Sequence, residues 1–214
     1  MENDAPMKHC IVVSGIDGSG KSTIIEALRK SLEARGHRTA CIWLRFNHYL
    51  TKGMHAIARV AGLSVPRQNE MGHVWQHELY RSKAFCRVYV LTTYLDTWVS
   101  RLKYNRAARH ADTVICDRWI TDILVDLAVK TRRPDIISGK WARRFMRIAP
   151  ATARYCVVHR NLDHLLDCRL ENRVDPDFRF RLQIYEELMK QPYILPVDNN
   201  GTIDASVAQI AQSL

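Results

Sequence analysis

Five short apolar runs punctuate the chain: His9–Ser14 (HCIVVS), Thr39–Leu44 (TACIWL), Thr113–Cys116 (TVIC), Arg154–Val158 (RYCVV) and Tyr193–Val197 (YILPV). Each is nearly continuous in hydrophobicity, the pattern of parallel strands covered on both faces. Between and after them, apolar residues recur at helical spacing. Ile24, Ile25, Leu28 and Leu32 form one stripe, Leu162, Leu165, Leu166 and Leu170 a second, and Ile203, Val207, Ile210 and Leu214 a third. Strands alternating with helices predict an α/β fold, a doubly wound five-stranded parallel sheet with helices on both faces. No repeat, low-complexity tract or linker interrupts the pattern, so residues 1–214 read as one domain. The stretch from about 46 to 104 differs. It offers no convincing strand and reads as a helical insertion, with breaks near Gly53, Gly62–Pro66 and Gly72.

Composition narrows the partners. The 214 residues are 47% hydrophobic and carry a formal charge of +10, which points to nucleic acid, acidic membrane or phosphorylated small molecules. Residues 1–28 contribute −2, residues 29–110 contribute +11 and residues 111–214 contribute +1, so the excess sits in the body of the chain. No run approaches the roughly 18–20 apolar residues of a membrane helix. The acidic, polar start MENDAPMKHC does not read as a signal peptide. Six cysteines without a C-x-x-C pair read as reduced thiols of a cytoplasmic protein.

Directly after the first strand comes Gly15-Ile16-Asp17-Gly18-Ser19-Gly20-Lys21-Ser22-Thr23, a complete G-x-x-x-x-G-K-[ST] match. Its glycines let successive backbone N–H groups turn inward onto phosphate oxygens, and the following helix adds its positive end. Lys21 is placed to reach the β and γ phosphates of ATP, and the Ser22 hydroxyl to ligate Mg²⁺. A second signal lies downstream. Val114-Ile115-Cys116-Asp117 is an apolar strand closed by an acid that suits Mg²⁺, and Arg118 follows where ligands bind in open α/β sheets.

These residues resemble the thymidylate kinase family of P-loop nucleoside monophosphate kinases. The resemblance rests on G-I-D-G-S-G-K-S-T and on V-I-C-D-R-W, similar to that family's Asp-Arg-aromatic motif. Cys168-Arg169-Leu170-Glu171-Asn172-Arg173 and the turn at Val197-Asp198-Asn199 add to it. The resemblance implies transfer of the ATP γ-phosphate to a nucleoside monophosphate, usually dTMP, by a homodimer. It implies that Asp17 lies near the acceptor and that Arg118 clamps the acceptor phosphate, with Arg45 as a second clamp. Asp122 is a further candidate for facing the acceptor. The resemblance also implies that Arg169 and Asn199 join the phosphate loop in holding ATP. A short lid over about 169–181 supplies the transition-state charge, with Arg173 first and Arg179 and Arg181 behind it, because Gly18 stands where some members carry a loop arginine. The chain departs from the family on the acceptor side. Leu44-Arg45-Phe46-Asn47-His48 replaces an Arg-Glu-Pro-Gly run, and Asp96-Thr97 replaces an Asp-Arg pair that faces the base, unless Arg101 takes that arginine's place.

Other groupings carry less. His73 and His77, beside Glu78, could share a helix face as metal ligands or touch an acceptor, although a surface position is the plainer reading. Arg118, Asp122 and Asp126 recur every four residues, as an ion-pair ladder or with Asp122 facing the acceptor. Trp75, Tyr80, Arg81, Phe85, Arg87 and Tyr89 could stack a base, but aromatics at such spacing more often build a core. Arg143-Arg144-Phe145-Met146-Arg147 reads as a solvated helix face. Two further functions compete with a nucleotide kinase. One is a kinase of a nucleoside or polynucleotide 5′-hydroxyl, with Asp17 or Asp122 as base; nucleic acid is the less favoured partner. The other is a nucleotide-dependent switch without turnover.

Overall fold

The computed structural model describes residues 9–45, 49–69 and 72–213; the side chains of 67–69 and 72–74 fall outside that description. Five strands form the expected parallel sheet: β1 (His9–Ser14), β2 (Thr39–Trp43), β5 (Thr113–Asp117), β6 (Ala153–His159) and β7 (Ile194–Asp198), in the order β2-β5-β1-β6-β7. Registers such as Val13↔Asp117 and Val13↔Cys156 align their carboxyl ends on one edge.

The two-residue period of β1 explains the double winding. Ile11 and Val13 point to one face, where α1 (Lys21–Ala34) and α9 (Ile203–Ala211) pack Ile24, Leu28, Val207 and Ile210 against them. Cys10 and Val12 point to the other face. There α3 (Lys83–Ala107), α4 (Ile120–Thr131), α5 (Lys140–Met146) and α8 (Phe178–Met189) bury Tyr104, Leu124, Phe145 and Leu188.

The segment between β2 and β5 corrects the sequence reading. Beside α2 (Leu50–Val60) and α3 it contains an antiparallel hairpin, β3 (Ser64–Asn69) with β4 (Gly72–His77), registered Pro66↔Trp75. The positions of the ribbon covered by α2 are polar, with Ser64 buried and His77 stacked on His55, while Val65 and Trp75 remain exposed, so no apolar alternation marks it. Pro66, read from sequence as part of a helix break at Gly62–Pro66, stands in an outer strand, where proline is tolerated. His77 therefore stands on a strand, not a helix, and the His73 side chain lies outside the description.

The leucine stripe of residues 162–170 is also interrupted. Arg169 is extended, at φ −144° and ψ 109°, and divides α6 (Leu162–Cys168) from α7 (Leu170–Val174). Leu165 is buried while Leu170 is exposed. Leu214, the last member of the closing stripe, and Phe46–His48 lie outside the described residues. Asp96 of α3 caps the start of α2, accepting from the Leu50 and Thr51 amides at 2.9 and 3.0 Å and from the Thr51 hydroxyl at 2.5 Å. That carboxylate is committed to holding the insertion together.

Candidate active site

The phosphate loop leaves β1 at Ser14 and enters α1 at Lys21. Two glycines are sterically required. Gly15 has φ +140° and a side chain there would run into the Val158 carbonyl of β6; Gly20 has φ +88° and one there would strike the Asn199 amide. The loop closes on itself through Ser19 N donating to Ile16 O at 3.1 Å. Two residues from distant elements brace it. Asn199, after β7, donates to Ser19 O at 2.7 Å, and Asn172 of α7 donates to Asp17 O at 2.9 Å. Asn172 had no signal in the sequence beyond its place between two arginines.

Lys21 is buried, and its Nζ donates to Ile16 O at 2.5 Å and to Ser19 Oγ at 3.4 Å. Burial, reinforced by the Arg118 cation, pulls its pKa down to about 7; Asp122, Asp17 and Asp117 oppose that pull without overcoming it. Ser22 and Thr23 lie exposed on the first turn of α1. Ser22 and Asp117 border one cavity of about 250 Å³, together with Glu26 and Arg29. A hydroxyl and a carboxylate are hard oxygen donors of the kind Mg²⁺ takes alongside water and phosphate, so these residues fit that ion. Burial raises the Asp117 carboxyl above its usual value, with Arg118 and Lys21 pulling against it.

Arg118 is the hub of a cluster of charged side chains beside the loop. It adopts a left-handed backbone, φ 61°, just beyond β5, and its N–H donates to Val13 O at 2.9 Å. Such a conformation strains a non-glycine residue and holds only where the surroundings fix it. Here Trp119 is fully buried next door, and its Nε1 donates to Ser100 Oγ at 2.7 Å. One guanidinium nitrogen of Arg118 donates to Asp17 Oδ1 and the other to Asp122 Oδ1, the latter at 2.6 Å. The Tyr185 hydroxyl of α8 donates to the same Asp122 oxygen at 2.7 Å. Asp122 Oδ2 is buried without a hydrogen-bond partner among the described residues.

Arg45 meets this cluster from the end of β2. Its Nη1 is 3.5 Å from Asp17 Oδ2 and its Nε 3.6 Å from Asp126 Oδ2. Arg181 of α8 pairs with Asp126 at 2.5 Å. Burial would raise the Asp17 carboxyl, but Arg118, Lys21 and Arg45 outweigh it and hold it ionised below its usual range. For Asp126 burial is likewise overcome, by Arg181, Arg45 and Lys130, and its pKa falls to about 2. The Arg118–Asp122–Asp126 ladder therefore divides: Asp122 answers Arg118, and Asp126 answers Arg45 and Arg181.

The arginines near the expected lid diverge. The Arg169 stem packs on Gly18 of the loop, within 3.4 Å of where a Cβ would stand. Arg173 turns back to α6, donating to Leu166 O at 2.9 Å and to Asp167 at 2.7 Å, while Arg179 is exposed on α8. His77 stacks on His55 with centroids 4.3 Å apart and shares a 2.7 Å hydrogen bond with Ser64. No group of three or more His, Cys, Asp or Glu able to hold a metal occurs among the described residues. The aromatic cluster is engaged internally: Arg59 lies over Trp75, Arg132 over Tyr80, and Lys130 over the buried Tyr89. No described helix is long and apolar enough to cross a membrane.

No protein-family model matches the chain, and no curated protein matches it in sequence. Solved structures do match. The thymidylate kinase of Candida albicans superposes with a TM-score of 0.55 at 16% identity, over 97% of this chain and 91% of that one. The thymidylate kinase of Ehrlichia chaffeensis superposes with a TM-score of 0.56 at 13% identity, over 97% and 99%. A five-stranded parallel sheet with a phosphate loop after its central strand, matched along nearly its whole length, gives this chain the fold of the thymidylate kinases.

Proposed function

We propose that the protein is a nucleotide kinase that moves the γ-phosphoryl group of ATP, with Mg²⁺, onto a nucleoside monophosphate, dTMP being the first candidate. One observation carries this reading. Arg45 and Arg118, from the ends of two different strands, converge on the exposed Asp17 carboxylate inside the phosphate loop. Two guanidinium forks aimed at one anionic position next to a phosphate loop suit an acceptor phosphate.

The chemistry asked of the chain is placement and charge stabilisation. Loop N–H groups from Gly15 to Thr23 and the start of α1 hold the donor phosphates, with Arg169 and Asn199 at its margin. Lys21 follows the charge that builds on the transferred group. The acceptor phosphate takes the Arg45 and Arg118 forks, and Asp122 with Tyr185 keeps Arg118 in its strained pose. Ser22 and Asp117 would hold Mg²⁺, which supplies charge neutralisation between donor oxygens. Arg173 remains the lid cation of choice only if α7 turns toward the loop; Arg169, already against Gly18, needs the smaller movement. A monophosphate oxygen is nucleophilic without a base, which suits an Asp17 held ionised as a clamp partner. The unpartnered Asp122 Oδ2 favours a second reading, a hydroxyl-bearing acceptor whose proton it accepts.

A second copy of the chain is the proposed partner. On α3, Val88, Leu91, Leu95, Trp98 and Leu102 are all between 45% and 66% exposed. Their spacing of three and four residues makes a continuous apolar seam opposite the buried face. Six free thiols suit a reducing cytoplasm. The reading is tested by coupled ADP production with each nucleoside monophosphate; loss of turnover in Lys21→Ala is expected, and wild-type turnover in that variant would contradict it.

A further inference from the structure

The segment Ser138–Tyr155 contains Lys140, Arg143, Arg144, Arg147 and Arg154 and no acidic residue. Its charge is hidden in the near-neutral total of the carboxyl half, and within it Arg143–Arg147 reads from sequence as a solvated helix face. The structure gives part of it another setting. Arg143 and Arg147, one turn apart at the end of α5, line a cavity of about 520 Å³ with Arg154, Tyr155 and Tyr193. No carboxylate among the described residues lines it. Among the described residues, none of these three arginines is drawn into an ion pair.

The cavity is far from the phosphate loop. Arg154 and Tyr155 open β6 and Tyr193 precedes β7, so it sits at the amino edge of the sheet. β6 is seven residues long, which puts that edge about 20 Å from the carboxyl edge.

The ring of Tyr155 meets Tyr193 edge-on, with centroids 6.4 Å apart, and the Tyr193 hydroxyl is fixed by the Ile137 carbonyl at 2.9 Å. Tyr193 remains 38% exposed, so a fixed ring faces the cavity mouth. Ala142, Met146 and Pro150 complete an apolar floor. Three unpaired guanidinium groups around an apolar, ring-bearing hollow of this volume are what a small anion with a flat ring requires.

We propose that this cavity is a second binding site, for a nucleoside phosphate, separate from the phosphate loop and independent of which acceptor the kinase reading assigns. Arg143, Arg147 and Arg154 hold the phosphates, and the ring stacks toward Tyr193. Its fixed distance from the loop makes it a site for binding rather than transfer.

Equilibrium dialysis with radiolabelled ATP tests it on wild type, Lys21→Ala and the triple variant Arg143→Gln, Arg147→Gln, Arg154→Gln. Wild type is expected to show two classes of ATP site. The triple variant is expected to keep the wild-type Tm and turnover while one class weakens at least tenfold; Lys21→Ala weakens the other. Inorganic tripolyphosphate should compete more weakly than ATP at the arginine-dependent class, because it lacks the ring. A single class that responds only to Lys21→Ala overturns the proposal and leaves the phosphate-loop reading standing. Unchanged ATP binding in the triple variant overturns it too, as does an effect of the three arginines on a 12-nucleotide DNA but not on ATP.

Discussion

Lys21 is the most perturbed cation in the phosphate loop, and its environment sets two pH effects. In the unfolded chain the amine holds its proton up to its ordinary value of 10.5; burial in the folded loop releases it near 7. Between those values the unfolded state binds more protons, so folding stability rises with pH across that window. Lys21→Met should remove that rise, measured as Tm against pH. Binding a triphosphate beside the amine restores its charge, so ATP binding at pH 8 should take up protons. Calorimetry in buffers of different ionisation heat reads this uptake, and Lys21→Met should abolish it.

Arg118 gives a second residue-scale expectation. Removing it strands the Asp122 carboxylate, only 1% exposed, without its cation. Arg118→Ala should cost about 3–5 kcal/mol in urea unfolding, and adding Asp122→Asn should recover a good part of it. On the proposed reading both variants lose turnover, which separates a chemical role for Arg118 from its structural one. Phosphate-loop residues and Asp117-Arg118 are readable in sequence because each set is contiguous. Tyr185 and Asn172 are not, since they reach the site from α8 and α7 and only the fold brings them to it; Arg181 was legible as a lid arginine, but not its pairing with Asp126.

At the scale of elements, β1 and the loop after it are fitted against their neighbours. A methyl group at Gly15 would be driven into the Val158 carbonyl, a rigid backbone atom. Gly15→Ala should therefore weaken ATP binding at least tenfold and lower Tm. The apolar seam of α3 carries a separate expectation. Leu95→Glu, at its middle, should convert a dimer into a monomer in sedimentation velocity while leaving the monomer folded. The strands β1, β5 and β6 were legible because burial on both faces makes them continuously apolar, and the edge strands β2 and β7 carry the same apolar runs although they are only partly covered. The β3–β4 hairpin was not, because its covered positions, Ser64 and His77, are polar while Val65 and Trp75 stay exposed, which leaves no apolar alternation to read. The break at Arg169 was equally silent: apolar spacing continues through it, while the backbone turns extended.

Across the whole molecule, charge and architecture divide the labour. The carboxyl edge of the sheet gathers Lys21, Arg45 and Arg118 around acidic partners, and the amino edge holds three arginines with none. Cations therefore gather at both edges, beside acids at the carboxyl edge and in a hollow without carboxylates among the described residues at the amino edge. Strand order and the loop after β1 agree with the α/β fold read from sequence, whereas the charged cluster beside that loop is built from side chains converging after β2 and from α4 and α8. The most direct test is an ADP-production screen of wild type and Lys21→Ala, with Mg²⁺, across ribo- and deoxynucleoside monophosphates, free nucleosides and a short oligonucleotide. The expected result is Mg²⁺-dependent turnover with a nucleoside monophosphate, dTMP first, that disappears in Lys21→Ala; turnover with no monophosphate, or equal turnover in the variant, would contradict the account.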